Sequence, residues 1–186
     1  MLSGDISPFF IPKSLLLEFS LPFYEDGQSV DEDELAFLKK VNECYLCRKK
    51  GLDLLARREH SRFELLVKLK QRKFSTFAIN NTLEYLVNKN YLSETRFCES
   101  FINSRLKKGE GKFLILQRLQ QKGVSLNFSK KIYEENVSRE DEISSCIKAF
   151  DKIKSKTEEK EYIQLKLQKK GFSSSIIREV FEEKYK

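Results

Sequence analysis

Apolar residues recur every three to four positions from about residue 31 onwards, which is the period of an amphipathic α-helix. This pattern predicts three groups of three helices. Their expected ranges are 42–59, 62–72, 76–88, 94–107, 111–122, 126–136, 140–155, 158–170 and 174–184. Residues 1–30 differ, because Pro8, Pro12 and Pro22 interrupt short apolar runs, and we expect an extended arm or one or two strands there.

A seven-residue segment occurs three times, starting at Leu69, Leu119 and Leu167, at intervals of 50 and 48 residues. Such a period is typical of stacked supersecondary units, none of which buries its apolar face alone. We therefore predict an all-α, elongated array of three tandem three-helix, helix-turn-helix-like repeats, with a short extended or β-like N-terminal segment. The expected boundaries are 1–40 for the acidic N-terminal segment, and 41–91, 92–138 and 139–186 for the repeats.

Each copy of the segment carries signals that end one helix and start another. Basic residues suit the negative end of the first helix, and a serine after the turn suits the N-cap of the next. Gly123 and Gly171 stand where a left-handed residue would end the helix, but the first copy has Lys73, so we expect that turn to be more strained or differently closed. Helix caps are expected at Ser61, Ser75, Ser93, Ser125, Ser138, Thr157 and Ser173.

Composition limits the function classes. With 7 Gly and 3 Pro in 186 residues, the chain lacks the turns of an all-β fold, and its single His argues against His-based catalysis. No apolar run approaches the roughly 20 residues that cross a bilayer, so we expect no membrane partner. No nucleophile–base pair stands out, and we expect neither an enzyme nor a cofactor. The start lacks a basic n-region and the four Cys are few, which favours a cytoplasmic protein with reduced thiols.

The cysteines are expected in the core. Cys44 and Cys47 have the spacing of some zinc and redox motifs, but zinc needs about four ligands and the expected helix lacks a redox context. Cys98 and Cys146 are separated by the repeat step and are expected to be equivalent small core residues.

Charge is unevenly distributed along the chain. The net charge is +7, and residues 51–136 alone hold 17 basic and 9 acidic side chains. Solvated helical faces are usually mixed in sign, so this block indicates a polyanion or an acidic protein as partner. The alternative is that lysines only keep the helices soluble.

Two segments of this basic block resemble a known family. The stretch Leu54–Leu65 is similar to the Ala-Arg-Arg-Glu-x-Ser-x-x-Glu-Leu signature of RecX proteins. Tyr91–Cys98, followed by Phe101 and Ser104-Arg105, is similar to that family's Leu-x-(Asp)-Asp-x-Arg-Phe-Ala…Ser-Arg segment. Glu94 and Cys98 depart from the usual Asp and Ala without breaking the pattern.

A third segment extends the resemblance, which covers about residues 50–186. Gly111, Ile115, Leu119 and Lys122–Val124 resemble the family's Gly-x-x-x-Ile…Leu…Lys-Gly-Ile/Val segment. The resemblance implies a regulator that binds RecA–single-stranded-DNA filaments and inhibits recombinase, ATPase and co-protease activity in DNA repair, recombination and the SOS response. It implies tandem three-helix units and no catalytic residue or cofactor. We further expect a monomer that binds single-stranded DNA and, more weakly, duplex DNA.

The residues expected to contact RecA or DNA are basic side chains of the first two repeats. They are Arg57, Arg58, Arg62, Lys68, Lys70, Arg72, Arg105, Lys107, Lys108, Lys112, Arg118 and Lys122. The stretch from Arg105 to Lys112 spans a glycine-flanked helix junction, where backbone N–H groups at a helix start suit a phosphate. By contrast, Glu59 and Glu64 are expected to have structural roles, and Arg96 is expected to form a structural salt bridge.

An alternative is a helix-turn-helix protein that acts on duplex DNA. The last two helices of each repeat have that arrangement, which would predict base contacts and usually dimerisation. The presumed recognition helices hold few side chains suited to bases, among them Asn80, Asn81 and Asn127. We therefore favour the filament-binding hypothesis.

Overall fold

The computed structural model describes residues 9–155, 157 and 159–185, and these residues form ten α-helices without any β-strand. The all-α prediction is confirmed, and the nine helices α2–α10 match those expected for the repeats. The helices are α1 (Lys13–Glu18), α2 (Glu32–Leu55), α3 (Arg62–Gln71), α4 (Thr76–Asn88), α5 (Glu94–Lys107), α6 (Lys112–Gln121), α7 (Leu126–Asn136), α8 (Arg139–Lys154), α9 (Lys160–Lys169) and α10 (Ser174–Lys184).

The N-terminal segment contains a helix where we expected an extended or β-like structure. Pro12 precedes α1 with a φ of −60°, a value that proline favours and that also suits the start of a helix. Leu15 and Leu16 of α1 are buried. The expectation was wrong for residues 13–18, because proline punctuation is compatible with a helix start as well as with an edge strand. Pro8 lies outside the described residues.

Helix α2 begins at Glu32, where the acidic run from Asp31 to Glu34 opens the helical pattern, and so includes ten residues before the range 42–59 expected for the first repeat helix. Asp31 caps it, since its Oδ1 accepts a hydrogen bond of 2.7 Å from the Glu34 N–H, and the first turn is wholly acidic. Carboxylates at this end complement the helix dipole. The helix therefore spans the expected boundary at 40/41, and the acidic run belongs to the first long helix.

The turn segment of the three repeats behaves as its sequence indicates. Lys73, Gly123 and Gly171 all have left-handed backbone, with φ of 64°, 81° and 86°, so Lys73 takes a conformation that residues with a Cβ rarely adopt. Serine caps are present at Ser61, Ser75, Ser93, Ser125, Ser138 and Ser173. Thr157 does not cap α9. The N-cap there is Glu159, and the Thr157 hydroxyl instead accepts from the Glu159 N–H, one step before the helix.

The chain divides into two compact units. The first holds the described residues up to Arg58 together with Leu65–Leu92, and the second holds Glu59–Glu64 together with the described residues from Ser93 onwards. The first unit has one apolar core, built from α2, α3 and α4 around residues such as Leu69 and Leu83. The second unit has two cores, one from α5–α7 and one from α8–α10. No helix of the described residues is long and apolar enough to cross a bilayer.

Candidate polyanion-binding surface

The twelve predicted contact residues differ in whether they form ion pairs. Four of them have a glutamate carboxylate within 4 Å: Arg105, Lys112, Arg118 and Lys122. Arg58 is exposed but has an interaction partner within the chain. The remaining seven have no carboxylate that close among the described residues: Arg57, Arg62, Lys68, Lys70, Arg72, Lys107 and Lys108. We call these seven side chains, which have no described carboxylate within 4 Å, the uncompensated cations.

Arg105 and Arg118 share the carboxylate of Glu110, whose side chain is only 11% exposed. The Arg105 Nη1 lies 3.3 Å from Glu110 Oε1, and the Arg118 Nε lies 3.1 Å from Oε2. The second contact lacks hydrogen-bond geometry and is purely electrostatic. The Arg105 guanidinium also lies 4.8 Å from the ring centroid of Phe101, which is a cation–π distance. One carboxylate against two arginines leaves one positive charge at fixed guanidinium groups.

Sequence reasoning missed the role of Glu110. Its partners are five and eight positions away, spacings that fall outside the i+3 and i+4 pairs of a single helix. The only available signal was a single acid within a basic stretch.

Lys112 and Lys122 are held by neighbours within the second unit. The Lys112 Nζ lies 3.2 Å from Glu134 Oε1 of α7. The Lys122 Nζ lies 2.8 Å from Glu64 Oε1, and the Lys122 carbonyl accepts a hydrogen bond of 2.6 Å from the Ser61 hydroxyl. The structural role expected for Glu64 is thereby confirmed. These two lysines are partly neutralised before any partner arrives.

Two of the backbone donors expected to contribute to a phosphate site at the start of α6 are already hydrogen-bonded within the second unit. The Gly111 N–H donates to the Lys170 carbonyl at 2.8 Å, and the Phe113 N–H donates to the Gly171 carbonyl at 3.0 Å. The glycine admits this contact, since a Cβ on Gly111 would lie 2.4 Å from the Gly171 carbonyl. These donors join two repeats of the second unit and are not available to an anion.

Arg96 forms the structural salt bridge that its position predicts. Its Nε lies 2.7 Å from Glu59 Oε1, and Glu59 thus has the structural role expected of it. The neighbouring Phe97 is buried.

The uncompensated cations lie mainly at the C-terminal ends of helices. Lys107 and Lys108 are exposed at the end of α5 in the second unit. In the first unit, Lys70 and Arg72 are exposed at the end of α3, where the Arg72 Nη1 donates to the Lys68 carbonyl at 2.8 Å. Side chains in these places stabilise their own helix ends and leave their charge towards solvent. Such groups suit weak contacts to phosphates or carboxylates.

A buried arginine in the first unit was not predicted. The Arg48 Nη1 lies 2.7 Å from Glu18 Oε2, Nη2 also contacts the second Glu18 oxygen, and Nη2 donates to Asn81 Oδ1 at 2.6 Å. The guanidinium lies 4.0 Å from the Tyr85 ring centroid. The Arg48 hydrogen bond holds the pKa of the Glu18 carboxyl below its usual value. The cluster joins α1 to α2 and α4, which a 30-residue separation conceals in the sequence.

The same cluster bears on duplex DNA recognition. Asn81 is one of the few side chains in the presumed recognition helices that could address a base, and its amide oxygen already accepts from Arg48. Asn80 and Asn127 are exposed. The first repeat therefore has fewer available base contacts than its sequence indicates.

All four cysteines are buried thiols. The expectation that Cys98 and Cys146 are equivalent core residues is confirmed, since each lies in the core of its own repeat. Burial raises the pKa of Cys44 to about 11 and those of Cys98 and Cys146 to about 12. No group of three or more potential metal ligands occurs among the described residues.

Comparison with known proteins matches two domains of one family. Residues 47–86 match the first three-helix domain of RecX, and residues 93–127 match the second. A regulatory protein RecX of Chlorobium phaeobacteroides (strain BS1) is 41% identical over 106 residues, which cover 54% of this chain and 68% of that protein. The chain belongs to the RecX family.

Other RecX proteins give a consistent result. Regulatory protein RecX of Pseudomonas savastanoi pv. phaseolicola (strain 1448A / Race 6) is 44% identical over 77 residues, covering 41% of this chain. The match spans 50% of that relative, so only about half its length is compared.

Solved RecX structures share the fold. A crystal structure of regulatory protein RecX has a TM-score of 0.76 at 21% identity and covers 98% of this chain and 92% of its own. RecX from Lactobacillus salivarius has a TM-score of 0.65 at 17% identity, with coverages of 76% and 96%.

Proposed function

We propose that this RecX chain binds RecA–single-stranded-DNA filaments and inhibits their recombinase, ATPase and co-protease activities in DNA repair, recombination and the SOS response. The observation that carries the proposal is the family membership, because the matched relatives are named regulatory proteins. The uncompensated cations support it, because a filament presents phosphates and carboxylates along its length. The proposal gives this chain no catalytic step and no cofactor.

Inhibition follows from binding at many weak points. Individual exposed lysines contribute little to affinity, but contacts made by one chain to several filament subunits add through effective concentration. A chain that bridges subunits resists the rearrangements on which filament growth and turnover depend. We further propose that the chain acts as a monomer in the cytoplasm.

The proposed surface offers two kinds of contact, from flexible lysines and from fixed guanidinium groups. The flexible side chains of Lys107 and Lys108 suit phosphates, which need no fixed geometry. The fixed guanidinium groups of Arg105 and Arg118 suit a planar carboxylate or phosphate partner, since Arg binds such groups with two donors. The remaining members of the proposed surface are Arg57, Arg58, Arg62, Lys68, Lys70, Arg72, Lys112 and Lys122.

The decisive experiment is the single-strand-dependent ATPase of RecA, measured with and without the purified chain. We expect inhibition, and we expect K107Q/K108Q to inhibit less at equal concentration. The matched control is K39Q/K40Q, which removes two exposed adjacent lysines from α2 outside the proposed surface. Full ATPase activity at micromolar excess of the unmodified chain would contradict the proposal.

Duplex DNA binding is the second candidate function. The helix pairs α6–α7 and α9–α10 are each joined by a tight turn with a left-handed glycine, as in helix-turn-helix proteins. A gel shift separates the candidates by comparing random duplex with RecA-coated single strands. We expect retardation of the coated strands at lower protein concentration, and tighter binding to duplex would favour the second candidate.

A further inference from the structure

The third repeat contains a basic cavity that none of the predicted contact residues lines. Its volume is about 430 Å³, and it is open to solvent between the end of α8 and one side of α9, along which its lining extends from Glu159 to Lys170. Ligand sites generally occupy about 300–1,000 Å³, so the space suits one small group larger than a single ion. The polar side chains around it come from Lys152, Thr157, Glu159, Tyr162, Lys166 and Lys170.

The cavity carries a positive charge. Among the described residues that line it, three are lysines and one, Glu159, is acidic. Lys152, Lys166 and Lys170 have no carboxylate within 4 Å among the described residues. The Lys170 Nζ makes one weak contact of 3.4 Å, to the Gly109 carbonyl. An anion entering here meets ammonium groups that no carboxylate of the described residues pairs with.

The cavity also has an aromatic wall. Tyr162 is 43% exposed, unlike the tyrosines and phenylalanines of the adjacent core. The Lys166 Nζ lies 5.1 Å from the centroid of the Tyr162 ring, so the cavity has a cation directly beside its aromatic side chain. Proteins bind single-stranded nucleic acid with aromatic faces beside basic side chains, because the bases stack on the rings while the phosphates contact the cations.

We propose that this cavity binds one nucleotide of a single strand of nucleic acid, with its base against Tyr162 and its phosphate at the lysines. The inference rests on the proposed function and deepens it, because it assigns a nucleic-acid contact to the third repeat. An acidic peptide would use the lysines but gain nothing from the exposed ring. A free nucleotide shares the same chemistry, and the experiment distinguishes it from a strand.

The test measures binding of a fluorescein-labelled oligo(dT) of about ten nucleotides to the full chain, without RecA, over a range of salt. Y162A is expected to weaken binding about fivefold or more, whereas Y162F keeps the stacking face and stays within about twofold of the unmodified chain. K166Q is expected to lower the slope of log affinity against log salt by about 0.7, the value for one phosphate contact on a single strand. K131Q, the same charge change on an exposed lysine of α7, is expected to leave the slope unchanged.

Three results would overturn the proposal. The first is binding by Y162A equal to that of the unmodified chain, with unaltered circular dichroism. The second is an equal loss of affinity in Y162A and Y162F, which would assign the effect to the hydroxyl group. The third is displacement of the oligonucleotide by free dTMP at micromolar concentration, which would make the ligand a mononucleotide. Each failure is distinguishable from failure of the proposed function, because the RecA ATPase of the same variants is measured separately.

Discussion

At the scale of single residues, Arg48 is a charged side chain whose burial was not predicted from the sequence. It is buried, and its two Nη atoms contact Glu18 and Asn81 beside the ring of Tyr85, whereas its Nε has no hydrogen-bond partner among the described residues. A charge removed from water is stable only when its neighbours replace the lost hydration. Glu18 provides the only negative charge in this cluster, which makes α1 a part of the first unit and not a loose extension.

We expect E18Q to lower the free energy of unfolding by about 1–2 kcal/mol at pH 7, because a charged hydrogen bond is replaced by a neutral one. R48M should be worse, since it leaves Glu18 and Asn81 without their donor. Urea unfolding followed by circular dichroism measures both. E25Q, at an exposed carboxylate of the same segment, is the control and should change little. Equal stability of E18Q and the unmodified chain would contradict the assigned role.

The Glu18–Arg48 ion pair predicts how the free energy of unfolding depends on pH. Because the pKa of Glu18 is lowered in the folded chain from its usual 4.5, its contribution is complete above about pH 4.5 and is lost as the pH falls through the folded value. The difference between E18Q and the unmodified chain should therefore shrink below pH 4.5. A difference that is constant down to pH 2 would show that Glu18 acts through packing and not through charge.

Residue roles were predictable where partners share a local pattern. The serine caps follow from their position next to a helix, and the burial of Cys98 and Cys146 follows from the repeat step. The pairing of Arg48 with Glu18, and of Glu110 with Arg118, depends on how separate helices pack. No periodicity within one helix records such a contact.

At the scale of helices and turns, the three repeats each place a residue with left-handed backbone in the same turn, but the residue differs between them. Gly123 and Gly171 adopt left-handed backbone at no steric cost, whereas Lys73 adopts it with a side chain that crowds the following carbonyl. The first turn is therefore the least stable of the three in backbone energy. This difference was predictable from the sequence, because aligning the three turn segments shows a lysine in the first where the others have a glycine.

K73G is expected to raise the free energy of unfolding by about 1 kcal/mol, because glycine removes the left-handed penalty. The control is K89G, at the end of α4, where φ is −86° and any residue is accommodated. There glycine gains nothing and adds freedom to the unfolded chain, so K89G should be neutral or destabilising. Thermal unfolding of the two variants gives the comparison, and stabilisation by K89G equal to that by K73G would refute the backbone explanation.

Gly171 has a second requirement besides its backbone. A Cβ there would lie 2.3 Å from the Leu114 nitrogen, so G171A must move one of two hydrogen-bonded turns. We expect a loss of about 2–4 kcal/mol. Gly27 measures the backbone cost alone, because its φ is 83° but no atom lies within 4 Å of its Cβ position. G27A should therefore lose only about 1 kcal/mol, and the further loss in G171A is the steric cost. Equal losses in urea unfolding would mean that the close approach is relieved at no cost.

Helix existence followed from periodicity, and the acidic run from Asp31 to Glu34 indicated the start of α2, which Asp31 caps. The partners of one helix end did not follow from the sequence. The backbone donors at the start of α6 were expected to face solvent, whereas the Gly111 and Phe113 N–H groups donate to the turn of the third repeat. A helix end seen in isolation cannot reveal that another repeat will use its hydrogen-bonding groups.

At the scale of the molecule, the second unit joins two apolar cores through polar contacts. The Gly111 and Phe113 N–H groups donate to the carbonyls of Lys170 and Gly171. The buried Ser145 hydroxyl contacts the Leu106 and Glu110 carbonyls at 2.9 and 3.1 Å. Buried polar groups of this kind are expensive to leave unpaired, so opening one core should expose donors and acceptors of the other. The two cores are therefore expected to open as one cooperative unit.

Thiol labelling tests this cooperativity, because Cys98 reports on the second repeat and Cys146 on the third. Both thiols are buried and have pKa values raised to about 12, so at pH 8 they are protonated and react only when the core opens. We expect a maleimide reagent in excess to label the two at rates within about twofold of each other, after correction for their rates in denaturant. G171A should accelerate both to the same extent, although it lies only in the third repeat, because it disrupts the contact that joins the cores. Mass spectrometry of the digested protein resolves the two sites. If G171A accelerated Cys146 alone, the repeats would be opening independently, and the hydrogen bonds between them would not couple their stability.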